Sequence, residues 1–182
     1  MISTQDIRSA RGWPLVARYV ANPNRTNDDW KKVRSGMVSK LGSGFSFALI
    51  GKHGLGKTQM AVDVMLEASD RNMSTEYTSA LGFFLDLKAS YHRDAGLSER
   101  EVMESFARPK LLVIDEFEKR GDSDWANNLI FELLNRRYGM LKDTLILSNL
   151  DKRQFGNFVS DSVSSRINQT GGLVVCNWPS FR

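Results

Sequence analysis

The chain has 182 residues, of which 41% are hydrophobic and 25% charged, a composition typical of one globular domain with a sizeable core. A single cysteine, Cys176, excludes an internal disulfide, and the sequence contains neither a signal-peptide core nor an apolar run of membrane-spanning length. These features exclude disulfide-rich secreted scaffolds and membrane-spanning proteins, and they predict a cytoplasmic protein without a membrane partner.

The net charge of +4 is unevenly distributed. Residues 1–40 contain eight Lys and Arg against three Asp, whereas the remainder has 17 basic and 18 acidic side chains. A basic segment favours contact with nucleic acid or an acidic protein surface, although a solvated leader would have the same charge. We predict a basic amino-terminal arm, residues 1–29, that packs on a single domain, residues 30–182.

The first predicted element of the domain is a helix from Trp30 to about Leu41, with Asp28 or Asp29 as its amino-terminal cap. A Gly-Ser-Gly sequence ends this helix. An apolar strand is predicted next, over residues 45–50.

The sequence GKHGLGKT follows that strand and precedes a segment of helical periodicity, residues 59–68. In a phosphate-binding loop, glycines let successive backbone N–H groups face a phosphate, the lysine reaches the β- and γ-phosphates, and the threonine hydroxyl binds Mg²⁺. The alternative is a structural glycine turn before a helix. We predict that a nucleotide is bound by the eight residues of this loop: Gly51, Lys52, His53, Gly54, Leu55, Gly56, Lys57 and Thr58.

The middle of the chain predicts a short strand near residues 75–79 and a helical segment over residues 81–87. A polar loop follows, and Ser98 with Glu101 has the spacing of a capping box that opens a helix through Phe106.

A second chemical signature is the apolar strand Leu111–Ile114 followed by Asp115 and Glu116. Ligands bind at the carboxyl ends of parallel strands, where these two carboxylates lie. We predict that Asp115 binds Mg²⁺ and that Glu116 polarises the water that attacks the γ-phosphate. The alternative is that both are solvated loop acids.

The last third of the chain predicts a helix over residues 124–138, a strand over residues 144–149, a helical stretch over residues 152–168 and a strand over residues 173–176. Asn149 is expected beside Asp115, where it would orient the attacking water. The alternating elements predict an α/β, three-layer P-loop NTPase domain with a five-stranded, mostly parallel sheet and no helical lid domain. Arg136 and Arg137 either complement a helix dipole or face a neighbouring subunit or a phosphate backbone.

Five motifs follow one another in the chain: the P-loop, Leu112–Glu116, Leu147–Leu150, Ser165–Ile167 and the ending Asn177–Arg182. Together they resemble the motifs of AAA+ ATPases of the DnaC/IstB group, the helicase loaders and transposition helper ATPases of bacteria and phages. The resemblance covers about residues 30–182. A sixth segment, Arg11–Pro14, resembles the Gly-hydrophobic-Pro sequence that precedes the core in that family.

The resemblance implies roles for three further residues. Asn149 matches the sensor-1 position, and Arg166 matches the arginine finger that reaches the γ-phosphate bound by the adjacent subunit. Arg182 matches a sensor-2-like position. The alternatives are a surface cation for Arg166 and a charged terminus for Arg182. The segment between residues 80 and 108 corresponds to a helix that faces DNA in initiator-type relatives.

The resemblance also implies a function: an ATP- and Mg²⁺-dependent homo-oligomer that assembles on single-stranded DNA and loads a replicative DNA helicase, with slow, partner-stimulated hydrolysis. A transposition helper ATPase has the same motifs, whereas a small-molecule P-loop kinase would need an Arg-rich lid. A nucleotide-binding scaffold without turnover is the remaining alternative. Three features depart from the family: a short arm in place of an amino-terminal domain, no lid, and Glu118 where relatives often have Gly.

Overall fold

A computed structural model describes residues 27–92, 96–120 and 123–180. The predictions for the basic arm up to residue 26, including Arg11–Pro14, and for Arg182 lie outside these residues. Within the described ranges, no helix is both long enough and apolar enough to cross a membrane. The helices are α1 Asp28–Ser39, α2 Lys57–Asp70, α3 Ala80–Ala89, α4 Glu99–Ala107, α5 Asp124–Gly139, α6 Lys152–Phe158 and α7 Asp161–Thr170. The strands are β1 Ser46–Ile50, β2 Thr75–Ser79, β3 Leu111–Asp115, β4 Asp143–Ser148 and β5 Gly172–Val175.

The five strands form one sheet in the order β2-β3-β4-β1-β5, and every pairing is parallel. This arrangement confirms the predicted α/β fold. Ile50 at the end of β1 pairs with Ser148 of β4 and Val175 of β5, and Asp115 at the end of β3 pairs with Ser79 of β2. The carboxyl ends of all five strands therefore meet at one edge of the sheet, where the predicted site residues follow them.

The sheet is covered on both faces, and alternate strand residues point to opposite sides. Ala48, Ile50 and Ile114 belong to a core shared with α3 to α7. Leu49 and Val113 belong to a second core shared with α1 and α2. Coverage by helices on both faces explains why β1, β3 and the middle of β4 are unbroken apolar runs rather than alternating ones.

Two local predictions are wrong. The stretch predicted as one helix over residues 152–168 is two helices, α6 and α7, because Val159 adopts an extended backbone and the Ser160 side chain caps α7 by accepting the N–H of Val163. The cap of α1 is Asn27, whose side-chain oxygen accepts the N–H of Trp30, so Asp28 and Asp29 lie in the first turn instead.

Arg137 has a role that its sequence did not predict. It is fully buried on α5, and burial lowers the pKa of its guanidinium, an effect that the Asp143 carboxylate opposes. The group donates hydrogen bonds to the Thr144 hydroxyl and to the backbone oxygens of Phe106, Ala107, Pro109 and Asp143. It therefore joins the amino ends of β3 and β4, opposite the edge that holds the predicted site, whereas Arg136 is exposed and pairs with Glu132.

Candidate nucleotide-binding site

The P-loop between β1 and α2 has a backbone that requires glycine. Gly51, Gly54 and Gly56 have φ values of 132°, 82° and 70°, which side-chain-bearing residues rarely adopt. A Cβ atom on Gly51 would also lie 2.7 Å from the backbone oxygen of Cys176. Gly56 is the N-cap of α2 and supplies no side-chain cap, so the first-turn N–H groups remain available to an anion.

Three successive carbonyl groups of the loop accept hydrogen bonds from side chains outside it. The Ser180 hydroxyl donates to Gly54 (3.3 Å), the Trp178 indole to Leu55 (2.7 Å) and the Trp30 indole to Gly56 (3.3 Å). Because a trans peptide holds its C=O and N–H in opposite directions, turning these oxygens outward turns the following N–H groups toward the other side. The two tryptophans and the serine thus orient the loop for an anion, a role that sequence reasoning missed.

Lys57 is nearly buried at the start of α2, with 7% of its surface exposed. Its ammonium group donates to the backbone oxygens of Gly51 and Lys52, at 2.6 and 2.8 Å. Burial lowers the pKa of Lys57, and the carboxylates of Asp115 and Glu118 oppose that shift. The lysine is therefore held inside the loop by weak neutral acceptors, which a phosphate oxygen can replace with a stronger, charge-assisted partner.

Asp115 joins the P-loop to β3. Its Oδ2 atom accepts the hydroxyl groups of Thr58 (2.9 Å) and Tyr77 (2.7 Å), and its Oδ1 atom accepts the N–H of Glu116 (2.7 Å). A hydroxyl and a carboxylate in contact form the oxygen donor set that Mg²⁺ takes beside nucleotide phosphates. The two predicted metal ligands are thus adjacent, and Tyr77 on β2 is a contact that the sequence did not indicate.

Glu116 diverges from Asp115 although the two are neighbours in sequence. Its backbone has a φ of 49°, a left-handed conformation that is uncommon for a residue with a side chain. Its carboxylate accepts a hydrogen bond from Lys119 at 2.7 Å, and 39% of the side chain is exposed. Asp115 is therefore directed into the P-loop side of the site, while Glu116 stays accessible to water.

Asn149 follows β4, the strand next to β3, so it lies at the strand end adjacent to that of Asp115. Its side-chain Nδ2 donates to Glu118 Oε1 at 2.6 Å, and its backbone N–H donates to Glu118 Oε2 at 3.1 Å. Glu118 belongs to the 3₁₀ helix Phe117–Arg120. The residue that departs from the family pattern is therefore the direct partner of the predicted sensor.

Arg166 is on α7, and its guanidinium packs over two rings of α5, at 5.4 Å from the Phe131 centroid and 5.2 Å from that of Tyr138. Its Nη1 atom is buried and has no hydrogen-bond partner among the described residues. These contacts are made with α5 of the same chain rather than with the P-loop.

This fold and this arrangement of P-loop, strand-end carboxylate and polar residue on the neighbouring strand define a P-loop nucleotide-binding protein. Residues 39–166 match the family model described as IstB-like ATP binding protein. The chain belongs to this family, and the predicted resemblance to AAA+ ATPases of the DnaC/IstB group is confirmed.

Known relatives agree with this assignment. The chain is 27% identical over 138 residues to the replicative helicase loader DnaC of Escherichia coli strain K12, a match that covers 75% of this chain and 56% of DnaC. The chain thus spans little more than half the length of that relative.

Solved structures with the same fold include the replication initiator DnaA bound to AMPPCP and single-stranded DNA. It has a TM-score of 0.71 and 21% identity, over 87% of this chain and 48% of DnaA. The DnaC helicase loader has a TM-score of 0.65 and 19% identity, over 88% of this chain and 99% of that structure.

Proposed function

We propose that this chain binds and hydrolyses ATP and acts in DNA replication as a DnaC-like loader of a replicative helicase. The observation that carries the proposal is the contact between Thr58 and Asp115, which unites the P-loop with the acidic end of β3. Each partner has the residue type that nucleotide hydrolysis needs at that place. The similarity to DnaC supports the choice of replication as the process.

In the proposed reaction, the backbone N–H groups of the P-loop and the Lys57 ammonium bind the phosphates of ATP. Thr58 and Asp115 would hold Mg²⁺, which neutralises charge on the phosphate oxygens. Glu116 accepts a proton from the attacking water through its carboxylate, of which Lys119 holds only the Oε1 atom. Asn149 orients the water, and the products are ADP and phosphate.

The proposed active form is a homo-oligomer on single-stranded DNA with ATP between subunits. Arg166 of one subunit would reach the γ-phosphate bound by its neighbour. The Nη1 atom supports this role, because it is buried without a hydrogen-bond partner, and a guanidinium that moves off the Phe131 and Tyr138 rings would bring this donor to a phosphate. The domain boundary at residue 30 belongs to the same proposal, with the basic arm as an additional contact to DNA or helicase.

The proposal is tested by purifying the chain and measuring ATP binding and phosphate release with and without single-stranded DNA. Lys57→Ala should abolish nucleotide binding, whereas Glu116→Gln should bind ATP, lose turnover and accumulate as ATP-bound oligomers. A matched control is Glu132→Gln, which changes a similarly exposed glutamate that, like Glu116, pairs with one nearby cation. Unchanged turnover in Glu116→Gln would remove Glu116 from its role.

The partner is tested separately. Co-purification with a replicative helicase, dependent on ATP and lost in Lys57→Ala, is expected. Capture of a transposase instead would identify a transposition helper, the alternative that the IstB-like family model supports. Arg166→Ala should keep ATP affinity and lose hydrolysis, and mixing it with wild-type subunits should poison or rescue turnover if the arginine acts between subunits.

A further inference from the structure

Glu118 makes a two-sided contact with the end of β4. Its Oε1 atom accepts Asn149 Nδ2 at 2.6 Å, and its Oε2 atom accepts both the Ser148 hydroxyl at 2.8 Å and the Asn149 N–H at 3.1 Å. Ser148 is buried. The Glu118 carboxylate therefore holds both the backbone and the side chain of Asn149, which lies at the strand end next to that of Asp115 and Glu116.

This contact fixes which way the Asn149 carboxamide faces. An ionised carboxylate only accepts hydrogen bonds, whereas an asparagine side chain has a donating nitrogen and an accepting oxygen. If the amide were rotated by half a turn, its oxygen would oppose the Glu118 carboxylate, which is repulsive. Glu118 thus selects the orientation in which the nitrogen faces it, and leaves the second N–H and the oxygen of Asn149 for another partner.

The carboxylate is ionised at neutral pH. Burial by itself raises the pKa of Glu118, but hydrogen bonds from its own backbone, from Ser148 and from Asn149 bring the net pKa below its usual value. The negative charge strengthens the hydrogen bond to Asn149 and makes it a directional restraint.

We propose that Glu118 is a positioning residue for hydrolysis, which holds the Asn149 carboxamide in the orientation that addresses the γ-phosphate and the attacking water. This inference rests on the proposed ATPase function. In this role Glu118 acts through the Asn149 side chain and is not itself a group that binds the γ-phosphate or the attacking water. The departure of Glu118 from the family pattern would thus link Asn149 to the 3₁₀ helix that directly follows Glu116.

The test is a double-mutant cycle on steady-state hydrolysis with Glu118→Ala, Asn149→Ala and the double variant. Asn149→Ala should lower kcat on the order of a hundredfold, and Glu118→Ala about tenfold. If Glu118 acts only through Asn149, the double variant should have the kcat of Asn149→Ala alone. The KM for ATP should change by less than about twofold, because the P-loop is intact.

Glu118→Gln separates orientation from simple loss of volume. A glutamine oxygen can still accept Asn149 Nδ2, but its amide nitrogen opposes the Asn149 N–H, so kcat should lie between that of the wild type and that of Glu118→Ala. Glu104→Ala is the matched control, since it removes a half-buried glutamate of α4 that pairs with Arg100 and Arg108. Circular dichroism verifies that each variant is folded.

The outcomes separate the two proposals. A wild-type chain without turnover would overturn the ATPase function and the role of Glu118 with it. Turnover in the wild type that is unchanged in Glu118→Ala, or losses of the two single variants that multiply in the double variant, would overturn only the inference on Glu118.

Discussion

Replacing Trp178 by Phe is a direct test of whether side chains outside the P-loop orient it. The indole is 6% exposed and donates to the Leu55 backbone oxygen at 2.7 Å, in a buried environment. Phenylalanine keeps an aromatic ring but cannot donate. The variant therefore leaves one loop carbonyl without its buried partner and removes a restraint on the direction of the next N–H group.

The expected loss of stability follows from two contributions. A buried carbonyl left without a donor costs about 1–3 kcal/mol, and the smaller ring leaves a void that costs about 1 kcal/mol more. A total of about 3 kcal/mol lowers the melting temperature of a chain of this size by about 6–12 °C. In this variant ATP binding must also return the Leu55 carbonyl group to its original direction. If that costs about 1.4 kcal/mol, the affinity for ATP falls about tenfold.

Unfolding in urea should be followed by circular dichroism, since the substitution alters tryptophan fluorescence, and ATP affinity by calorimetry. Trp125→Phe is the control, because Trp125 is 38% exposed and its ring contacts those of Phe84 and Tyr91, away from the P-loop. Equal losses of stability in the two variants, together with equal ATP affinity, would refute the reasoning that Trp178 orients the loop.

Three further predictions concern other buried contacts. Tyr77→Phe removes one of the two hydroxyl groups on Asp115 and should weaken magnesium-dependent ATP binding about tenfold, which a magnesium titration of ATP binding measures. Arg137→Met removes the buried guanidinium that donates to four backbone oxygens and should cost about 3–5 kcal/mol in urea unfolding; a loss below about 1 kcal/mol would contradict its structural role. Burial raises the pKa of the Cys176 thiol from 9.0 to about 12, so between those values it ionises only in the unfolded chain. The free energy of unfolding of the wild type, relative to that of Cys176→Ala, should therefore be constant below pH 9 and fall above it by up to about 1.4 kcal/mol per pH unit. Urea unfolding of both proteins across that pH range measures this difference.

The fold was predictable because its signals are local and strong. The apolar runs before the P-loop and before Asp115 predicted strands of a mostly parallel sheet, and β1 and β3 are strands of such a sheet. Helix ends were less predictable, since Asn27, Asp28 and Asp29 are all acceptable caps by residue type. The break between α6 and α7 has no glycine or proline at Val159 or Ser160, so periodicity alone favoured one helix.

The site was predictable where a motif fixes spacing and unpredictable where contacts come from distant elements. The sequence predicted that Thr58 and Asp115 would serve one ion, and the two side chains are in contact. The sequence did not predict the hydrogen bond from Tyr77 to Asp115, because this contact depends on which strand lies beside β3. The same holds for Trp30 and Trp178, which contact neighbouring carbonyl groups of the P-loop although they lie far from it in the sequence.

The place of β1 in the sheet has a consequence during synthesis. Both of its neighbours, β4 and β5, emerge from the ribosome long after the P-loop does, and Ile50 is flanked only when Ser148 and Val175 have been made. A nascent chain that ends before β4 therefore lacks the paired strands that position the P-loop for a phosphate. Pairings between strands so far apart in sequence also form slowly. Nucleotide binding should therefore stabilise chains in which β4 and β5 have been made and protect them from proteases. Shorter nascent chains should not be stabilised by cellular ATP.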